Sequence, residues 1–231
     1  MSETALRDRL TPAVRMGLSI SIAVGAYGVS FGALSVAAGL NVWQTMVLSA
    51  LMFTGGSQFA FIAVIGGAGT GAAAWAAATL LGIRNGIYGM QLKALIRPPA
   101  SLIPLMAQLT IDESTATAVA QNDHDERVRG FWTAGVGVYL LWNTFTLVGA
   151  LAGDAIGDPK VWGLDGAAVA AFLGLLWPRL TSKDPIAIAI IAAIATVMAI
   201  PLVPPGIPVL IAAAVTAAVW GWRHYGRRSA S

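Results

Sequence analysis

Arg84 is the residue hardest to place without giving it a task. It stands near the centre of an apolar segment, Gly71 to Leu95, and follows a stretch from Met16 to Ile83 without a single Asp, Glu, Lys, Arg or His. An arginine at the middle of a membrane helix costs about 2.5 to 3.5 kcal/mol on insertion scales, so it must face protein or water. A guanidinium stays charged and offers a planar fork of donors, which suits a carboxylate. That carboxylate belongs either to a bound amino acid or to an Asp or Glu of the chain, and the sequence leaves both open. A snorkelling arginine at the membrane edge is a third option, disfavoured by the length of the segment on either side. Asn85 adds an amide beside it, and Tyr88, one helical turn on, puts a hydroxyl on the same face.

Two further clusters could do chemistry. FTGGSQF, Phe53 to Phe59, sets Gly55 and Gly56 at mid-segment, followed by Ser57 and Gln58. Each glycine weakens a helix by about 1 kcal/mol relative to alanine, and an unwound turn there would present backbone groups with a hydroxyl and an amide. The alternative is an unbroken, closely packed helix with Gln58 bonded to a neighbour. In LTIDESTATA, Asp112 and Glu113 could titrate as a coupling site, because a low-dielectric cavity favours the protonated carboxyl. They could equally open a helix, where acidic groups suit the first turn.

What must position these residues follows from composition. The chain is 57% hydrophobic and 11% charged over 231 residues, with mean hydropathy +0.73, too few charges to cover a water-soluble globule. The fold class expected is an all-α polytopic transmembrane bundle of about 7–8 spans, because backbone in hydrocarbon must satisfy its own hydrogen bonds and the apolar runs lack two-residue alternation. Polar punctuation gives segments at about Ala13 to Ala38, Val42 to Ile65, Gly71 to Leu95, Ser101 to Ala120, Gly130 to Leu151, Trp162 to Leu180, Pro185 to Ile200 and Ile207 to Trp222. Pro201 to Pro208, PLVPPGIP, cannot continue a regular helix and predicts a tight hairpin or a broken pair.

Basic residues before the first segment (Arg7, Arg9, Arg15) and after the last (Arg223, Arg227, Arg228) place both ends in the cytoplasm. Lys93 and Arg97 then become exceptions to the positive-inside pattern. Ser101 to Ala120 holds two acids at its centre, and seven crossings remain if it lies in the interface or re-enters. The start of the chain lacks a small-residue cleavage site, so the first helix is expected to be retained. A single membrane domain over 1–231 is expected, with an echo between GVSFGALSVAAG from Gly28 and WNTFTLVGALAG from Trp142 suggesting repeat halves of about 13–97 and 130–222. Small residues at fourfold spacing (Gly17, Ser21, Gly25; Gly28, Gly32; Gly82, Gly86; Gly149, Gly153, Gly157) predict close helix packing.

Several classes fall away. Net charge is +3, but the basic residues sit in loops and ends, so nucleic acid is not an expected partner. There is no cysteine, and the two histidines lie in charged stretches. No metal spacing, phosphate loop or nucleophile with its base is present, so neither enzyme nor cofactor chemistry is expected.

FGALSVAAGL at Phe31 to Leu40, FTGGSQF at Phe53 to Phe59, IRNGIYGMQL at Ile83 to Leu92 and DES at Asp112 to Ser114 together resemble the AzlC/YgaZ family of branched-chain amino-acid permeases, from about Gly17 to Leu180. The resemblance implies an inner-membrane complex with a small AzlD-type subunit, exporting valine, leucine, isoleucine and in some members methionine. Asn85 stands where the family commonly has histidine, and Ser30 where it often has proline. The resulting expectation is proton-coupled secondary transport. Arg84 would hold the substrate carboxylate, Ser57 and Gln58 its ammonium or water shell, Gly55, Gly56, Asn85 and Tyr88 would complete the site, and Asp112 and Glu113 would serve coupling. A transporter of another small solute and a non-transporting membrane scaffold are the rivals, and a homo-oligomer is the simpler alternative use of the glycine faces.

Overall fold

The computed structural model describes residues 10–156, 173, 176–177, 180–204 and 207–228. The described residues form helices and no strand: α1 (Pro12–Ala26), α2 (Gly28–Ala37), α3 (Val42–Leu51), α4 (Gly56–Gly66), α5 (Gly71–Ile96), α6 (Ile103–Gln108), α7 (Asp112–Val119), α8 (His124–Ile156), α9 (Lys183–Ala199) and α10 (Ile207–Arg228). Pro12–Ala37, in which α1 and α2 are joined through Tyr27, and His124–Ala155 are long and apolar enough to cross a membrane. At about 1.5 Å rise per residue, the 26 residues of α5 also reach across a hydrocarbon core of about 30 Å. The expected count of 7–8 spans is not confirmed by the described residues, among which two of the eight segments are broken.

Local chemistry sets the boundaries. Thr11 caps α1 ahead of Pro12, whose missing N–H costs nothing at that position. Asn41 and Gln44 exchange side-chain and backbone bonds of 2.8 and 2.9 Å to open α3, and Thr70 caps α5. α3 stops at Met52, and α4 starts after Gly55, whose φ of +61° would strain any residue with a Cβ. The Gly55–Gly56 pair is therefore a break, and Val42 to Ile65 is two helices. Ser101 to Ala120 is broken likewise, between Gln108 and Asp112.

Contacts define where each leg begins and ends. α4 finishes beside the end of α2, since a Cβ on Gly66 would lie 3.2 Å from that of Ala38. α3 starts there too, four residues after Ala38, so α3–α4 enters and leaves at the same end of the bundle. α5 runs antiparallel to α4, with Gly82 facing Ser57 and Ala74 and Ala77 packed with Ala60 and Val64. It ends near the start of α8, where the His124 ring Nε2 lies 3.2 Å from the Ile96 carbonyl. α6–α7 leaves from that opposite end and returns to it: Gln121 lies against Met16 of α1, and Thr117 against Gly130 of α8. At this end Arg129 Nη1 also donates to Glu126 Oε1 at 2.7 Å. The two broken segments are thus re-entrant hairpins inserted from opposite ends.

This topology removes the Lys93 and Arg97 exception. With α3–α4 not crossing, α5 carries both residues to the end that already holds Arg15, Arg127 and Arg129. α9 and α10 pack against one another as the hairpin that Pro201 to Pro208 predicts. The segment Trp162 to Leu180 and the outer part of the Asp154 to Lys160 loop fall outside the described residues, apart from Leu173, Leu176, Trp177 and Leu180.

The frame of the bundle is α1–α2 lying parallel to α8. Gly17 faces Thr133, Gly25 faces Leu141, Gly28 faces the Trp142 carbonyl and Gly153 faces Ala33, so the two segments advance together. Gly32 and Gly149 leave no room for a side chain against the backbones of Thr146 and Val29. Such approach is what small-residue faces supply in lipid, where apolar burial gives no drive between helices. Around it Phe31, Phe59 and Trp142 pack as an aromatic cluster with ring centroids 5.6 to 6.2 Å apart. The α5 glycines differ, since a Cβ on Gly86 or Gly89 would meet nothing within 4 Å.

The contrast yields a stability prediction. Gly32→Val and Gly149→Val should each cost at least the 1 to 3 kcal/mol typical of overpacking and lower the folded yield in detergent. Gly89→Ala, in open space, should leave the thermal midpoint unchanged or slightly raised. Equal tolerance at all three positions would contradict the parallel α2–α8 contact.

Candidate functional site

The two hairpin tips meet beside the middle of α5, and neighbouring residues of that helix serve one tip each. Arg84 Nη2 donates to the Thr54 carbonyl in the first break at 3.4 Å, and Asn85 Nδ2 donates to the Thr110 carbonyl in the second at 3.1 Å. The tips also touch directly, Gln108 Nε2 donating to the Ala50 carbonyl at 2.7 Å, with the Tyr139 hydroxyl 3.4 Å from the same oxygen. A broken helix leaves backbone carbonyls without intrahelical donors. These side chains supply the missing donors.

Gln58 belongs to the same scheme. It is fully buried, and its Nε2 donates to the carbonyls of both Leu48 and Ser49 at 3.2 Å. It therefore ties α4 to the end of α3. In the second hairpin Ser114 takes the corresponding part, accepting from the Ile111 N–H at 3.1 Å and donating to the Leu109 carbonyl at 2.7 Å.

The charge on Arg84 is met inside the protein. Its Nη2 lies 2.8 Å from Asp112 Oδ2, and Tyr88 donates to Asp112 Oδ1 at 2.9 Å. Asp112 and Glu113 occupy the first turn of α7, where the helix dipole favours acidic groups. The pair is only partly enclosed, 21% and 19% of the two side chains remaining accessible. Of the two partners open for Arg84, the chain's own carboxylate is the one in place. On the other side of the guanidinium stands the N-terminus of α4: a Cβ on Gly56 would lie 3.0 Å from Arg84 Nη2.

Some of the buried polar atoms without a partner stand at or near this junction. Thr54 Oγ1, Ser57 Oγ and Thr115 Oγ1, with Gln58 Oε1, have no hydrogen-bond partner among the described residues. Ser57 is 1% exposed and its hydroxyl is turned toward α5 at Gly82. Unpaired buried polar atoms are costly and mark a place where a solute or water completes the bonding.

Two cavities approach the tips from opposite ends. One of about 920 Å³ lies within the first hairpin, lined by Leu40, Trp43, Val47, Phe61 and Trp75 and reaching Thr54. The other, of about 380 Å³, lies between α5 and α6, lined by Lys93, Pro98, Ile103 and Met106 and reaching Asn85 and Thr110. All nine residues expected at the site, Gly55, Gly56, Ser57, Gln58, Arg84, Asn85, Tyr88, Asp112 and Glu113, thus lie at or beside the meeting of the tips. Thr54, Gln108, Thr110 and Tyr139 complete it and were not expected; only their closeness in sequence to the breaks would have pointed to Thr54 and Thr110.

Among the described residues, a helical bundle has broken helices that meet at a charged centre with a cavity on either side, an arrangement of the kind membrane transporters use. Residues 19–156 match the family described as AzlC protein, and the chain belongs to that family. Neither a curated relative nor a solved structure matches the chain.

The ion pair yields a prediction about folding. Arg84→Ala strands Asp112 and leaves the Thr54 carbonyl without its donor, so folded yield should drop sharply. Breaking a buried pair typically costs about 3 to 5 kcal/mol, and partial exposure here puts the loss at or below that range. Arg84→Gln with Asp112→Asn should restore most of the yield, measured by size-exclusion of a fluorescent fusion. A double variant no better than the single one would contradict the mutual compensation.

Proposed function

We propose that this chain is the large subunit of a secondary active transporter that exports valine, leucine and isoleucine, and extends to methionine as in some members of the family, across the cell inner membrane by alternating access. The carrying observation is the pair of opposed re-entrant hairpins whose tips meet at Arg84, with one cavity ending at Thr54 and the other at Thr110. Loosening one tip at a time would open the centre to one side at a time. Membership in the AzlC family supports the substrate class and a small AzlD-type partner subunit.

In this reading Arg84 and the open N-terminus of α4 at Gly56 and Ser57 hold the substrate carboxylate, because backbone N–H groups and a guanidinium both favour an anion there. Apolar walls such as Val47 and Phe61 receive the aliphatic group on its way to the tips. Glu113, within electrostatic reach of Asp112 and Arg84, carries the coupling proton. The end bearing Arg15, Lys93, Arg97, Arg127 and Arg129 faces the cytoplasm, as the positive-inside rule requires.

Efflux of radiolabelled valine from loaded cells tests the function. Expression of the chain with its partner should accelerate efflux. Arg84→Lys should reduce it to the background of cells lacking the transporter while expression stays near normal, because lysine keeps the charge and loses the fork. Efflux unaffected by Arg84→Lys would remove the carboxylate role. Full activity of the chain alone in liposomes would remove the partner.

A further inference from the structure

The centre of the protein holds a cation and an anion side by side, each already satisfied by the other. Arg84 Nη2 and Asp112 Oδ2 are 2.8 Å apart, the pair is partly accessible, and unpartnered buried hydroxyls of Thr54 and Ser57 stand in the first break beside it. A carboxylate arriving at Arg84 competes with Asp112. If the solute carried only a negative charge, displaced Asp112 would be left as an uncompensated carboxylate in a low-dielectric site, which is strongly unfavourable. A zwitterion brings its own remedy. Its carboxylate replaces Asp112 at Arg84 and its ammonium replaces Arg84 at Asp112, so one ion pair becomes two and the net charge of the paired groups stays zero.

We propose that the Arg84–Asp112 ion pair is the amino-acid recognition site, into which an α-amino acid inserts with its carboxylate on Arg84 and its ammonium on Asp112. This rests on the reading that Arg84 holds the substrate carboxylate, and it gives Asp112 a direct binding role. Tyr88, which donates to Asp112 at 2.9 Å, keeps that carboxylate aimed while its guanidinium partner is exchanged. Because Asp112 starts α7 and Arg84 holds the Thr54 carbonyl of the first tip, an inserted zwitterion also bridges the two hairpins. Asp112 is the charged acceptor for the ammonium, and Gln58 Oε1 and Ser57 Oγ, without a hydrogen-bond partner among the described residues, are neutral acceptors beside it.

Binding to the purified protein with its partner subunit tests the proposal, using valine, its 2-hydroxy acid analogue, which lacks the ammonium, and valinol, which lacks the carboxylate. In the unmodified protein both analogues should bind on the order of 10- to 100-fold more weakly than valine, the range expected for one charge-assisted hydrogen bond. Asp112→Asn should reduce valine affinity to about that of the hydroxy acid without weakening the hydroxy acid. Asp112→Glu, which keeps the charge and so keeps Arg84 paired, should show the same loss of preference in part and serves if the asparagine variant does not fold. A hydroxy acid that binds the unmodified protein as well as valine overturns the proposal, as do Asp112 variants that retain the full preference for valine. If Arg84→Gln abolishes valine binding while those Asp112 variants keep the preference, only the ammonium assignment falls. Undiminished valine binding by Arg84→Gln removes the carboxylate reading and this proposal together.

Discussion

Backbone polar groups released inside a hydrocarbon layer must find donors and acceptors within the protein, and in this chain that requirement organises the centre. Four helix ends stop near mid-bundle, at Leu51, Gly56, Gln108 and Asp112, each leaving groups that water would satisfy in a soluble protein. The Arg84–Asn85 dipeptide supplies donors to both breaks from one turn of an unbroken helix. Gln58, Gln108 and Tyr139 cover the last carbonyls of α3. Every polar residue in this set has a backbone carbonyl to serve, which ties the identity of the site residues to the architecture before any solute is considered.

The frame around this centre is closely packed. α1–α2 and α8 meet through glycines with backbone against backbone, a contact that tolerates no added atom and leaves little freedom to slide. The hairpins pack into the core through Leu48, Phe59, Met106 and Leu109, and their tips are joined by side-chain bonds of 2.7 to 3.4 Å. Each such bond contributes about 0.5 to 1.5 kcal/mol net, somewhat more where a charge is involved. In the proposed function the ion pair between the two cavities is the element that a charged solute biases.

Much of this was legible in the residues, and what was not has a physical reason. Hydropathy gave the helical class and the segment positions, because it reports burial from water irrespective of topology. It could not tell a crossing from a hairpin: Val42 to Ile65 is as apolar as a true span, and only Gly55 and Gly56 mark where it turns. The misplacement of Lys93 and Arg97 under an all-crossing topology was the clearer signal, since one hairpin fewer across the membrane moves both to the basic end. Arg84 announced a carboxylate by its cost alone. That the carboxylate is Asp112 depends on the second hairpin returning to mid-bundle, a contact 28 residues away that no local pattern encodes. Likewise, the fourfold glycine spacing looked alike on α1, α5 and α8, yet only the α1–α2 and α8 stripes are packed, because spacing describes a face and not what lies against it.

The meeting of the tips at Arg84 requires the two hairpins to enter from opposite ends. As the chain contains no cysteine, single cysteines can be introduced at exposed positions and labelled with a membrane-impermeant maleimide in right-side-out and inverted vesicles. Asn41→Cys and Gly67→Cys should label from one face of the membrane, and Ala100→Cys and Asn122→Cys from the other. Labelling of positions 41 and 67 from opposite faces, or of 100 and 122 from opposite faces, would make that segment a full crossing and contradict the meeting of the tips at Arg84.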